Sequence, residues 1–102
     1  MKNSINLISD DTLVKQYIER GKGLFNDGEI EKAFRNFNKA IFINNECAEA
    51  YFVKAQAHIK IYEVDDAENC IKNYLKLVPD DPKAYWKLID IHDLTGDRKS
   101  VV

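Results

Sequence analysis

One offset organises this chain. Tyr17, Tyr51 and Tyr85 are spaced 34 and 34 residues apart, and so are Gly28, Tyr62 and Gly96, the last just before Asp97. The same offset of 34 relates Ala33 to Ala67, Ala50 to Ala84, Ile41 to Leu75, Ile43 to Leu77 and His58 to His92. A fixed period of this length predicts stacked helical hairpins. One hairpin cannot bury its apolar face alone, so neighbouring copies must complete the core.

The pattern inside each period agrees with hairpins. From Leu13 to Phe25 the apolar residues fall at 13, 14, 17, 18, 24 and 25, with Gly21 at the missing step, which is helical spacing. Asn26-Asp27-Gly28 breaks that helix. Ile30, Ala33, Phe34, Phe37, Ala40 and Ile41 form a second stripe at three- and four-residue steps, and Asn44-Asn45 ends it. The next period predicts a helix through Tyr51, Ala55, His58 and Ile59, then a turn at Tyr62-Glu63. A further helix follows through Val64, Ala67, Ile71, Tyr74, Leu75 and Val78. Pro79-Asp80-Asp81-Pro82 stops it, with Pro82 suited to the first turn of a fifth helix. That helix carries Tyr85, Leu88, Ile89 and His92, and its end is expected at Thr95-Gly96.

These residues resemble the tetratricopeptide repeat, a family of 34-residue helix–turn–helix units. The matches are Tyr17, Gly21, Gly28, Ala33, Phe37 and Ala40 in a first unit, and Tyr51, Ala55, Ala67 and Pro79 in a second. Tyr85 marks a third. The chain departs from the pattern at Asn45, where proline is usual, and at Ile71 and Tyr74, which replace an aromatic and an alanine. Ile89 stands where a small residue is usual. The resemblance implies an all-α fold, a right-handed α-solenoid of antiparallel helix hairpins with five helices in about two and a half units. It also implies an N-terminal extension over 1–12 and a repeat domain over 13–97, with units 14–47, 48–81 and a truncated 82–102.

In this family the first helix of each unit lines a concave groove that holds a peptide or a helix. The resemblance therefore places Ile18, Lys22 and Phe25 there from the first unit. Phe52, Val53, Gln56 and Ile59 come from the second, and Trp86 and Asp90 from the third. Ile18, Phe52 and Trp86 share one register position and form an apolar rung suited to anchoring a protein partner. Two alternatives stand beside this: the same side chains could pack within their hairpins, or Ile5, Leu7 and Ile8 could fold over the groove. One subclass of the family clamps terminal carboxylates with lysine, asparagine and arginine. Here the corresponding positions hold Ile18, Lys22, Val53, Lys83 and Lys87, and isoleucine and valine cannot donate hydrogen bonds, so that mode is not expected.

The residues after Gly96-Asp97 are too few for a second helix in the third unit. Helix 5 is then expected to expose Leu88, Ile89, Ile91 and Leu94. Either the chain is a piece of a longer protein, or this end packs on a second copy as a homodimer.

Other function classes find little support. Net charge is −2 with acids and bases interleaved, so no basic stripe favours nucleic acid. No apolar run nears the roughly 20 residues that cross a bilayer, and no secretory signal is expected. Cys47 and Cys70 fit no zinc or redox spacing and read as reduced packing residues, which suits a cytoplasmic protein. No phosphate loop, nucleophile motif or zinc motif occurs, so no enzyme, metal or cofactor is expected. His58 and His92 lack a third ligand at a matching step. Asp65-Asp66 and Asp80-Asp81 stand at helix starts, where the helix dipole favours them.

Overall fold

The structure, a computed structural model, describes residues 9–100. It is all-α, with no strand among the described residues. The helices are α1 (Asp10–Asn26), α2 (Ile30–Ile43), α3 (Ala48–Lys60), α4 (Val64–Leu77) and α5 (Pro82–Ser100). The chain divides into two compact units between Ala50 and Tyr51. Ile5, Leu7 and Ile8, expected as a possible cover for the groove, lie outside the described residues.

The 34-residue period is carried by the backbone as well as the side chains. Gly28 (φ 88°) and Tyr62 (φ 63°) both adopt the left-handed conformation that ends a helix. Glu29 N–H donates to Leu24 C=O at 2.8 Å, and its counterpart Glu63 N–H donates to His58 C=O at 2.9 Å. Gly28 N–H to Phe25 C=O and Tyr62 N–H to Ile59 C=O are both 3.0 Å. These pairs are a Schellman closure formed twice, and they satisfy carbonyls that a helix end otherwise leaves unpaired.

In the first unit, α1 turns Val14, Ile18 and Gly21 inward and α2 turns Ala33, Phe37 and Ala40 inward. Phe37 and Ile18 are among the most fully buried large side chains, each contributing about 1.5–3 kcal/mol of burial. Gly21 lets the helices meet: a Cβ there would lie 2.5 Å from Phe37 Cε1 and 3.1 Å from Ala33 C=O. Phe25 and Phe34 meet edge to face at 6.4 Å, and Phe34 meets Phe37 likewise at 6.0 Å. The second unit buries Val53, Ala55 and Ala57 of α3, Ala67, Cys70, Ile71 and Tyr74 of α4, and Ala84 and Ile91 of α5. Cys47 and Cys70 are free thiols, and burial pushes the Cys70 thiol up.

Two helix ends differ from expectation. α1 begins at Asp10 rather than near Leu13, because Ser9 Oγ accepts the Thr12 N–H at 3.1 Å and Asp10 and Asp11 stand in the first turn. Such polar starts leave no mark on apolar periodicity. α5 continues to Ser100 rather than ending at Thr95-Gly96. A glycine inside a helix costs only about 1 kcal/mol relative to alanine, which does not stop a helix already running.

Candidate functional site

The second unit gathers an aromatic and cationic cluster from α3, α4 and α5. The Phe52 ring packs on the Tyr74 ring at 5.1 Å between centroids, and Lys83 Nζ lies 5.2 Å from the Phe52 centroid. Lys83 is tied to Asp81 at both ends. Its N–H donates to Asp81 Oδ1 at 3.0 Å, the N-cap bond of α5, and its Nζ lies 3.8 Å from Asp81 Oδ2. The Tyr74 hydroxyl donates to the same Oδ2. Phe52, Tyr74, Asp81 and Lys83 thus form a closed circuit of contacts.

The electrostatics follow from that circuit. The Tyr74 hydrogen bond, then the Lys83 amide, hold the Asp81 carboxyl below its ordinary range. The same bond, reinforced by desolvation, pushes the Tyr74 phenol up to about 12. Trp86 stands one turn beyond Lys83 and is 65% exposed. Gln56 is half-buried one turn after Phe52.

The remaining groove expectations divide. Ile18 is 1% exposed and Val53 8% exposed, so neither can touch a ligand. Ile18 lies on the inward stripe with Val14 and Gly21, and Val53 shares the core with Ala57. The expected Ile18–Phe52–Trp86 rung is therefore not a row of exposed anchors, since its first member is core. Phe25 is half-buried against Phe34, Ile59 is half-buried, and Lys22 pairs with Glu19 at 3.3 Å. Asp90 pairs with Lys87 at 3.9 Å, a surface contact of small energetic weight.

On α5 the expected interface residues also separate. Ile89 is 50% exposed and, with Tyr85, Leu88, His92 and Asp93, bounds a shallow hollow of about 430 Å³. Leu88 and Leu94 are half-buried. Ile91 is 3% exposed and belongs to the core, two turns from buried Ala84 on the inward stripe, so it is not available to a second copy.

Sequence reasoning missed Tyr74 and Asp81. Their bond spans the α4–α5 turn, and only the Tyr74-for-alanine departure hinted at it. It also missed a group around His58. His58 Nδ1 is 2.8 Å from Glu63 Oε1, and His58, Glu63 and Asp66 offer donor atoms within 4.8 Å of one another. The existing hydrogen bond already engages two of these groups. Both carboxylates stand at the N-terminal end of α4, whose positive dipole end favours acids and disfavours a cation.

No helix among the described residues is long and apolar enough to cross a membrane. The family model for the tetratricopeptide repeat matches residues 24–90, about two thirds of the chain. No curated protein matches the sequence. Tetratricopeptide repeats are in general protein–protein interaction modules and typically non-catalytic scaffolds. Repeated left-handed turns, Gly21 at the close approach of α1 to α2 and the matching family model lead to one conclusion: this chain belongs to the tetratricopeptide-repeat family.

Proposed function

We infer that the domain binds a protein partner as an extended peptide or helix laid against the α3–α5 surface of the second unit. Phe52, Gln56, Lys83 and Trp86 are the contacts. The observation that carries this reading is Trp86, a large aromatic 65% exposed one turn from a lysine that lies over the Phe52 ring. Exposed tryptophan is costly to hydrate and is enriched among residues that dominate binding energy. The reading needs no catalytic group, metal, cofactor, nucleic acid or membrane, and two free thiols fit a reducing compartment such as the cytoplasm.

The test is partner capture followed by Phe52→Ala and Trp86→Ala. Lost binding with unchanged helicity supports the surface. Loss of helicity in Trp86→Ala would show that the side chain is structural instead.

A second reading rests on Tyr85 and Ile89, 49% and 50% exposed on the outer face of α5. That face fits self-association as a homodimer. Sedimentation over a range of concentrations decides it: a dimer dispersed by Ile89→Glu supports it, and a monomer at every concentration removes it.

A further inference from the structure

The first unit carries a second surface, on α1 and α2, that neither reading uses. Two cations approach the Tyr17 ring: Arg20 Cζ and Lys39 Nζ are each 5.5 Å from its centroid. Arg35, Asn38, Phe42 and Ile43 complete, with Tyr17 and Lys39, the wall of an open hollow of about 510 Å³. Phe42 is 90% exposed. Among the described residues, no carboxylate comes within ion-pair distance of Arg20, Arg35 or Lys39. Lys22 and Lys32 in the same unit do have such partners, Glu19 and Glu29.

The second unit folds without this chemistry at the corresponding positions. At the positions 34 residues on, Arg35 and Lys39 become Asn69 and Asn73, and Phe42 becomes Lys76. The second unit thus places exposed lysine where the first places exposed phenylalanine, and neutral amides where it places cations. Phe42, almost fully exposed, is not part of the core. Two cations on one ring and a third, Arg35, on the wall of the adjoining hollow, with no carboxylate partner among the described residues, leave positive charge to be met from outside.

We propose that this face docks an acidic peptide segment of a partner protein, one that also carries a bulky apolar side chain. Its carboxylates meet Arg20, Arg35 and Lys39, and its apolar group covers Phe42 and Ile43. Only three cations are involved and the chain is net negative, so a nucleic-acid backbone is the poorer match.

The experiment is selection of random 12-residue displayed peptides on the whole chain, with counter-selection on the triple variant Arg35→Glu, Lys39→Glu, Phe42→Lys. All three positions are exposed, and circular dichroism checks that the variant keeps its helicity. The expected winners carry at least two acids and an aromatic or large aliphatic residue. They should lose tenfold or more in affinity to Phe42→Lys alone and weaken steeply with salt. Binding should survive Phe52→Ala and Trp86→Ala, which keeps this outcome separate from the α3–α5 reading. Three results would overturn it. One is the absence of any peptide that discriminates the variant. Another is winners that bind equally well when their acids become amides. The last is displacement of the winners by polyuridylate or anionic vesicles at lower concentration than by free peptide.

Discussion

The Tyr74 hydroxyl donates its hydrogen bond to the Asp81 carboxylate, which at the same time caps α5 through the Lys83 N–H. One carboxylate therefore ties the last turn of α4 to the first turn of α5. Its charge state sets a pH dependence. Asp81 is held below its ordinary value of 3.8, so its contribution is full above that value and lost as pH falls through the lower folded-state value. Tyr74 is raised from 10.0 to about 12, so its contribution is full below pH 10 and lost as pH rises toward 12. Tyr74→Phe keeps the ring on Phe52 and removes only the hydroxyl. Urea melts should show the variant less stable between about pH 5 and 9, with the gap closing in acid and in strong base. A gap that stays constant across pH would show that the bond does not carry the difference.

Gly21 and Phe37 are chosen together. An added methyl would meet the buried ring and the Ala33 carbonyl at once. Gly21→Ala gains about 1 kcal/mol of helix propensity but incurs about 1–3 kcal/mol of overpacking. A net loss of up to about 2 kcal/mol is expected by chemical denaturation. In the second unit the same positions are Ala55 and Ile71, a larger residue facing a smaller one. Adding Phe37→Ile to Gly21→Ala should therefore cost less than the two single losses combined. Strict additivity in the double-mutant cycle would rule out the coupling.

What the sequence revealed, and what it hid, follows from which forces act locally. Apolar residues at three- and four-residue steps mark the five described helices, and the 34-residue offset marks the turns at Gly28 and Tyr62, whose left-handed backbone only the structure shows. Register fixes where a residue stands on its own helix but not what covers it. That is why Ile18 and Trp86, equivalent by sequence, are 1% and 65% exposed. The Tyr74–Asp81 bond depends on how the Pro79–Pro82 turn folds back, which no periodicity encodes. Gly96 takes the register position of Gly28 and so suggests a helix end, yet there the backbone remains helical.

Tyr62 offers a direct measure of turn strain. It holds φ 63° where the first unit uses glycine, and it is 74% exposed, so little packing is at stake. The left-handed conformation costs a side-chain-bearing residue about 1–2 kcal/mol. Glycine relieves that but loses about 0.5–1 kcal/mol of extra chain entropy on folding. Tyr62→Gly should raise stability by about 0.5–1 kcal/mol, seen as a higher urea midpoint at unchanged slope. A lower midpoint would mean that the exposed ring contributes more than its strain.

Trp86 is the sole tryptophan, so its fluorescence reports on the α3–α5 surface alone. At 65% exposure, its emission in the free protein should already lie near that of the unfolded chain, and acrylamide should quench it readily. Thermal unfolding should then appear in full by circular dichroism with only a small change in emission wavelength. A partner seated on Phe52 and Lys83 should shift the emission to the blue and protect it from quencher. Lys83→Ala should weaken that response, because it removes the cation that lies over the Phe52 ring. Phe42→Lys, in the first unit, should leave it unchanged. Strongly blue-shifted, quencher-resistant emission in the free protein would mean that Trp86 is covered without a partner, and the proposed surface would lose its principal anchor.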